Sequence, residues 1–283
     1  MTSLSSMIEE ESKDKNPGNI LVVDALNLAF RWKHMGKLDF EYDYIRTVES
    51  LAKSYDCGKV VITADWGSSS YRKELYPEYK ENRKEKFKDQ TEKEKLEFEL
   101  FFSEYETTLE SLKDKFLVSR YKNVEADDLA AYIAKTFSNY NIWMVSSDRD
   151  WDLLVDSTCS RFSYVTRKET TIHNWDEHYD VDREHYISYK CLIGDSGDNI
   201  PGIAGIGPVK AKQLIETYGT VFDIYSSCPI ESKYKYIQSL NENCEQLMIN
   251  FSLMDLENHC EEAIGEDNLS DFRKNLMEYL IEN

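Results

Sequence analysis

Three short apolar segments, rich in β-branched residues, each run into an aspartate at residues 19–24, 59–65 and 141–148. Runs of this kind predict buried strands of a parallel sheet. Parallel strands present their carboxyl ends at one edge of an open α/β sheet, where functional sites gather. We therefore expect Asp24, Asp65 and Asp148 to lie near one another.

The remaining chain has helical patterns of different kinds. A helix is predicted near residues 42–55, and another begins at Glu125 and carries Leu129, Ile133 and Phe137 at helical spacing. A charged insertion at 76–95 leads into a helix predicted at 97–115. Beyond residue 181 the pattern is all-helical apart from a glycine-rich turn, with helices expected at 184–193, 209–218, 232–250 and 271–281.

These patterns predict an α/β fold with a mainly parallel central sheet flanked by helices. We expect a flexible, polar and acidic tail at 1–18 and an α/β core at 19–180. The charged insertion and the helix after it, together about 76–118, lie within that core, and a helical region follows at 181–283.

The net charge of −19 opposes binding to nucleic acid, which relies on Lys and Arg. Its distribution matters more, because residues 72–95 hold nine Lys or Arg against seven Asp or Glu, a local charge of +2. No segment approaches the roughly 20 apolar residues of a membrane span. The six cysteines include no CxxC pair, so zinc spacing is absent. We expect a cytoplasmic protein without a membrane partner.

Nine carboxylates stand at strand ends, a helix start and turns: Asp24, Asp65, Glu125, Asp127, Asp128, Asp148, Asp150, Asp195 and Asp198. Each has an ordinary alternative, since acids cap helix N-termini and form turns. Asp152 is expected to be structural. Gathered together, however, carboxylates raise one another's pKa and need cations to remain ionised. Oxygen ligands without Cys or His indicate Mg²⁺ or Mn²⁺, and a two-metal site suits phosphodiester hydrolysis.

The residues that carry this chemistry fall into motifs that resemble the 5′-nuclease superfamily. They are VVDALNLAFR at 22–31, EADD at 125–128, SDRDWD at 147–152, GDSGDNIPGI at 194–203 and GIG at 205–207. With YKENR at 79–83, the chain looks closest to the flap endonucleases, or 5′-exonucleases, of T-odd bacteriophages. Ala25, Trp66 and Pro208 depart from the usual pattern of that family.

The resemblance implies a resolvase-like, PIN-like core, a helical arch that admits single-stranded 5′ ends, and a helix–three-turn–helix module that grips duplex DNA. By resemblance a first metal would be held by Asp65, Glu125, Asp127 and Asp128. A second would be held by Asp150, Asp195 and Asp198, with Asp148 between the two and Asp24 acting through water.

The resemblance also assigns DNA contacts. Lys80 and Arg83 would polarise the scissile phosphate, Arg31 and Arg72 would contact further phosphates, and Tyr79 would stack on an unpaired base. The turn at 202–207 and the helix after it would bind duplex phosphates through Gly202, Gly205, Gly207, Lys210 and Lys212. In the family such a turn also binds a monovalent cation, K⁺, through backbone carbonyls.

The resulting hypothesis is a monomeric, metal-dependent 5′ nuclease of flaps, nicks and 5′ ends that leaves 5′-phosphates, in an infected bacterial cytoplasm if phage-encoded. Two alternatives stay open: a catalytically silent DNA-junction binder, and a related nuclease that cleaves RNA or hybrids. An aspartyl-phosphate phosphatase is disfavoured, because Leu26 stands where a partner acid would be two residues after Asp24.

Overall fold

The computed structural model describes residues 18–83 and 90–282, and contacts within it divide them into two units. The sheet unit contains residues 18–69, Thr91–Ile172 and 256–282. The helical unit contains residues 70–83, residue 90 and His173–Asp255. The predicted tail, apart from Gly18, and positions 84–89 of the predicted arch lie outside the described residues.

A six-stranded sheet forms the centre of the sheet unit, in the order β3-β2-β1-β4-β5-β6. Its strands are β1 (Asn19–Asp24), β2 (Cys57–Thr63), β3 (Leu117–Ser119), β4 (Asn141–Val145), β5 (Cys159–Ser163) and β6 (Lys168–Thr170). The first five strands are parallel and β6 is antiparallel, which confirms the predicted mainly parallel sheet. The chain adds strands on one side of β1 and then on the other, so the strand order reverses between β1 and β4. Ligands of open α/β sheets bind at such reversals.

Apolar burial fixes the middle of this sheet. Ile20, Leu21, Val22 and Val23 of β1 are all fully buried, as expected for a strand covered on both faces. The helices of the unit are α1 (Ala25–His34), α2 (Glu41–Ser54), α4 (Glu92–Leu112), α5 (Ala126–Thr136), α11 (Leu256–Ile264) and α12 (Glu266–Met277). Short 3₁₀ and π segments complete it at Arg149–Leu154 and Glu278–Glu282.

The helical unit has its own apolar core, built largely from Ile, Leu and Val. Its helices are α3 (Ser70–Leu75), α6 (Tyr186–Ile193), α7 (Pro208–Tyr218), α8 (Val221–Ser227), α9 (Lys235–Glu242) and α10 (Glu245–Met254), with 3₁₀ segments at Ile172–Glu177 and Arg183–His185. The fully buried amide of Asn250 donates hydrogen bonds to the carbonyls of Cys191 (2.9 Å) and Pro201 (2.8 Å). These bonds join α10 to both ends of the segment that runs from the last turn of α6 to the start of the glycine-rich turn at 202–207.

That region contains a two-stranded antiparallel ribbon, β7 (Gly194–Asp195) and β8 (Ile200–Pro201), which the all-helical pattern did not predict. A Cβ on Gly194 would lie 2.2 Å from the backbone nitrogen of Gly202, and one on Gly202 would lie 2.2 Å from the carbonyl oxygen of Ile193. Both glycines are therefore required by close backbone packing inside the unit.

Contacts divide the chain differently from a single boundary at residue 180. Residues 70–83 and residue 90 are grouped with the helical unit, whereas the last two helices, α11 and α12, are grouped with the sheet unit. Helix α11 packs against α5, and the ring of Phe272 in α12 lies 5.6 Å from that of Tyr132. The helix predicted at 232–250 is two helices, α9 and α10, with the break at residues 243–244. No helix among the described residues is long and apolar enough to span a membrane.

Candidate metal centre

Asp24 stands at the end of β1 and begins α1. Its Oδ1 accepts the backbone N–H of Asn27 at 3.1 Å, and its Oδ2 accepts the Ser146 hydroxyl at 2.8 Å. Burial raises the pKa of Asp24 to about 8, and the charge of Asp65 is the next contribution, although both hydrogen bonds act in the opposite direction. The charge of Asp148 raises this pKa further. Asp24, Asp65 and Asp148 therefore lie near one another, as the strand pattern predicts.

Asp65 and Glu125 meet the start of α5 in different ways. The Oδ1 of Asp65 accepts the backbone N–H of Ala126 at 2.7 Å. Glu125 occupies the N-cap position without a side-chain capping hydrogen bond to α5, and its Oε1 accepts the backbone N–H of Ser69 at 3.4 Å. Helix capping therefore does not account for the buried carboxylate of Glu125, and Asp128 of the same motif is also fully buried.

The remaining acids of the sheet unit lie on α5 and just after β4. Asp127 accepts the indole N–H of Trp151 at 2.6 Å, and Asp148 accepts the backbone N–H of Asp150 at 2.9 Å. Asp152 behaves as the expected structural residue: it is fully buried and paired with Arg161, at 2.7 Å between Oδ2 and Nη2. Seven of the nine predicted acids thus belong to this unit.

The donor chemistry of the sheet-unit acids fits a hard divalent cation, because every candidate ligand is a carboxylate oxygen. Within 18–83 and 90–282, no three Asp, Glu, His or Cys side chains stand close enough to enclose an ion in their present positions. Burial is the largest cause of the raised pKa of Asp24, and repulsion from the charges of Asp65 and Asp148 adds to it. A bound cation would relieve that repulsion.

In the helical unit, Asp198 is surrounded by the residues predicted to contact DNA. Its Oδ1 lies 2.5 Å from Nη2 of Arg83, and its Oδ2 lies 3.6 Å from Nζ of Lys80. The hydroxyl of Tyr79 donates to Oδ2 at 3.0 Å. Asp198 therefore already holds both cations that were predicted to polarise the phosphate.

Asp195 in the same unit has a partner that the sequence reasoning missed. Lys190 is buried, and its ammonium lies 3.4 Å from Oδ2 of Asp195. Burial opposes the charged form of Asp195, but Lys190 and the backbone N–H groups of Gly197 and Asp198 outweigh it and lower the pKa of this carboxyl. The available signal was a lysine five residues before the acid, at the end of a predicted helix.

Two residues predicted to contact DNA are buried within the helical unit. Arg72 is 3% exposed, and its Nε donates to the carbonyl of Leu253 at 2.9 Å, so it ties α3 to α10 and does not present itself to phosphate. Tyr79 is 2% exposed within the apolar core of the unit, so its ring face is not available to an unpaired base. Its hydroxyl orients Asp198 instead.

The residues predicted to bind DNA in the glycine-rich turn and in α7 differ in what they contact. Close packing against the backbone explains why residue 202 is a glycine, so no contact with DNA is needed to account for it. Gly205 adopts φ +80°, and a Cβ on Gly207 would meet nothing within 4 Å. The Lys210 ammonium donates to the carbonyl of Gly205 at 2.7 Å, whereas Lys212 is exposed.

Hydrogen bonds around β1 and β4 also involve residues to which the sequence patterns assigned no role. Ser146 donates to Asp24 and accepts the backbone N–H of Asp148 at 3.1 Å. The Oδ1 of Asn27 accepts the backbone N–H of Ser147 at 2.8 Å. These two side chains hold the ends of the adjacent strands in register beneath the acids.

Two family profiles match consecutive parts of the chain. The profile described as "5′-3′ exonuclease, N-terminal resolvase-like domain" matches residues 19–183. The profile described as "5′-3′ exonuclease, C-terminal SAM fold" matches residues 181–275.

Individual proteins resemble the chain over nearly its whole length. It is 42% identical to the flap endonuclease of Escherichia phage T5 over 277 residues, covering 95% of each protein. It is 30% identical to flap endonuclease Xni of Shewanella sp. strain ANA-3 over 262 residues, covering 90% of this chain and 95% of that one. A bacteriophage T5 flap endonuclease variant, solved in a pseudo-enzyme-product complex with DNA and metal ions, superposes with a TM-score of 0.89 at 40% identity, covering 93% of this chain and 99% of that one.

Proposed function

The chain belongs to the family of 5′-3′ exonucleases and flap endonucleases, and we propose that it hydrolyses phosphodiesters at 5′ flaps, nicks and 5′ ends of DNA and leaves 5′-phosphates. The observation that carries this proposal is that parallel pairing of β1 with β2 and β4 brings Asp24, Asp65 and Asp148 to one edge of the sheet, at the reversal of strand order. A group of acids that repel one another at such a position is arranged for cations rather than for an uncharged ligand.

We propose Mg²⁺ or Mn²⁺ as the cations. Asp65, Glu125, Asp127 and Asp128 are the residues assigned to one ion, and Asp150, Asp195 and Asp198 to another, with Asp148 as a shared neighbour. Two such ions, when bound, lower the pKa of an attacking water and stabilise the leaving oxygen. Asp24 is buried and hydrogen-bonded to Ser146, and it contributes negative charge to the metal site through water.

Lys80 and Arg83 are assigned to the scissile phosphate, because cationic side chains stabilise charge that develops on phosphoryl oxygens. Both side chains contact Asp198 in the structure. A phosphate must therefore share or take over cations that this carboxylate already orients. Orientation before binding reduces the rotamer entropy lost when the phosphate arrives.

Duplex DNA is assigned to the turn and helix α7. Gly205 and Gly207 allow backbone to approach a phosphate, and Lys212 adds an exposed charge near the N-terminus of α7. The sequence assigned duplex binding to residues 181–283. We now assign it to the part of this region that ends at Asp255, because residues 256–282 are grouped with the sheet unit. For K⁺ at the turn, the carbonyl of Gly205 is already engaged by the Lys210 ammonium, so we assign the positive charge there to the lysine.

The proposed partner is DNA, with RNA in hybrids as a secondary substrate, and the proposed active form is a monomer. The similarity to a phage enzyme supports action in the cytoplasm of an infected bacterium. The alternative of a catalytically silent junction binder would keep the helical unit's contacts while lacking turnover.

Digestion of a 5′-labelled flap substrate tests the proposal. The protein is first equilibrated with the substrate in EDTA, where binding is measured, and Mg²⁺ is then added in excess. We expect no products before the addition and, after it, labelled products that end within a few nucleotides of the junction. Binding in EDTA with no cleavage after Mg²⁺ would identify the silent binder.

A further inference from the structure

A cleft of about 510 Å³ opens in the sheet unit between α1 and α2, beside the residue that follows β5. Arg31, Lys37, Asp43, Arg46 and Tyr164 are the polar and aromatic residues around it that matter here. We call it the basic cleft. None of its residues belongs to the carboxylate groups described above, and only Arg31 was given a role by the sequence.

Cationic side chains outnumber acidic ones around the basic cleft. Asp43 is the one acid among its lining residues and forms an ion pair with Lys37. The hydrogen bond from Lys37, together with the charges of Lys37, Arg46 and Arg31, lowers the pKa of Asp43, so all four groups are within electrostatic reach. Arg31 and Arg46 have no carboxylate within 4 Å among the described residues. In a chain with 53 acids and 34 bases, three cationic side chains that share one carboxylate in one cleft favour an anionic ligand.

Aromatic rings hold these arginines in place. The guanidinium carbon of Arg31 lies 4.1 Å from the centroid of the Tyr164 ring, and that of Arg167 lies 5.9 Å from the same ring. Arg46 lies 5.5 Å from the ring of Tyr42, which is 68% exposed. A guanidinium stacked on a ring keeps its in-plane N–H groups directed outward, which is the geometry that phosphate oxygens require.

The position of the cleft relates it to the strand-end acids of the same unit. Asp24 caps α1, and Arg31 follows seven residues later on that helix. Seven residues of α-helix span roughly 10 Å along the axis. A DNA strand with a phosphate at the acids is therefore within a few nucleotides of the cleft.

We propose that the basic cleft binds one nucleotide of single-stranded DNA, with its phosphate on Arg31 and Arg46 and its base against the exposed ring of Tyr42. This inference rests on the proposed function and adds a subsite to it. An acidic peptide would satisfy the cations equally well, but an exposed aromatic face beside an arginine favours a nucleobase. The subsite anchors single-stranded DNA a short distance from the reacting phosphate.

Fluorescence anisotropy of a labelled (dT)₈ oligonucleotide in EDTA tests this subsite without any cleavage. Arg46→Gln is expected to weaken binding about 5- to 10-fold and to lower the slope of log K against log salt by about 0.7, the value of one single-strand phosphate. Tyr42→Ala is expected to weaken binding about 5-fold or more with an unchanged slope, because stacking is uncharged. Lys113→Gln removes a cation from the end of α4 and serves as the charge-matched control, with binding like the unmodified protein.

Three outcomes decide the matter separately from the nuclease assignment. Loss of (dT)₈ binding in both cleft variants supports the subsite even if the protein never cuts a flap. Flap cleavage by the unmodified protein together with control-like (dT)₈ binding by both variants overturns the subsite and leaves the nuclease assignment intact. Displacement of (dT)₈ by an equal concentration of an octaglutamate peptide, lost in Arg46→Gln, overturns the choice of nucleic acid.

Discussion

Lys80 is joined to Asp198 twice: its backbone N–H donates to the Asp198 carbonyl at 2.9 Å, and its ammonium lies 3.6 Å from the carboxylate of the same residue. Lys80 adopts a left-handed backbone conformation, φ +57°, which costs a non-glycine residue free energy. Asn82 adds a hydrogen bond to the carbonyl of Ser196 at 2.8 Å. The start of the charged insertion is thus fastened to the loop that carries the acids of the helical unit.

Replacing Lys80 tests whether its ammonium stabilises the charge that develops during cleavage. Lys80→Ala is expected to slow the cleavage step by about 10²–10³-fold, as removal of an electrostatic stabiliser does, while flap affinity falls only a few-fold. Single-turnover kinetics with enzyme in excess separate the two effects. Lys73→Ala, at a nearby half-buried lysine whose ammonium donates to the carbonyl of Pro77, is the control and should cleave normally. Equal losses in rate and affinity would make Lys80 a binding residue only.

Neutralising the acids tests the metal assignment. Asp150→Asn and Asp198→Asn are each expected to reduce cleavage at saturating Mg²⁺ by about 100-fold or more, equivalent to a few kcal/mol, while flap binding is retained. Asp198→Asn should also bind DNA more tightly, because it releases Lys80 and Arg83 from a carboxylate. Asp176→Asn, an exposed acid, is the matched control. Unchanged turnover in either variant would remove that residue from the metal set.

The sequence predicted the sheet and its acidic edge because both depend on local patterns. A buried strand followed by an acid is visible in the chain, and parallel pairing then determines that Asp24, Asp65 and Asp148 meet. The short strands β3 and β6 were missed because three residues give no clear alternation. The break between α9 and α10 was missed because apolar spacing continues across it.

The roles of Arg72 and Tyr79 could not be predicted because they depend on which side chains the helical unit buries. An arginine in a basic segment suggests a phosphate contact, yet here its Nε satisfies a carbonyl of a helix about 180 residues later in the chain. A tyrosine beside Lys80 suggests a stacking surface, yet its ring fills the core. Sequence reveals residue types near a site, whereas their orientation follows from distant packing.

The raised pKa of Asp24 predicts a pH-dependent stability of the metal-free protein. Its folded pKa of about 8 lies above the ordinary value of 3.8, so between these values the folded state binds more protons than the unfolded state. The free energy of unfolding in EDTA should therefore fall as pH rises from about 4 to about 8. Asp24→Asn should flatten that slope and raise the melting temperature at pH 8, which calorimetry in EDTA measures. If the stability of the variant depended on pH as strongly as that of the unmodified protein, Asp24 would not be the cause of the pH dependence.

Lys210 tests the duplex-binding turn. Lys210→Ala removes an ammonium that donates to the Gly205 carbonyl and lies 4.4 Å from the ring centroid of Tyr236. We expect duplex affinity to fall several-fold and the salt slope to decrease by about one. Anisotropy of a blunt duplex across a salt series measures both, with Lys168→Ala of the sheet unit as control. An unaltered slope would assign Lys210 to holding the turn and not to contacting phosphate.

The central claim is that opposed carboxylates at the ends of β1, β2 and β4 are neutralised by divalent cations. Anomalous scattering from a crystal of the protein soaked in Mn²⁺ tests it most directly. The account predicts a manganese peak bound by carboxylates of Asp65, Asp127 or Asp128, lost in a matched crystal of Asp127→Asn. Well-ordered acids with no manganese among them, at a concentration that supports cleavage in solution, would contradict it.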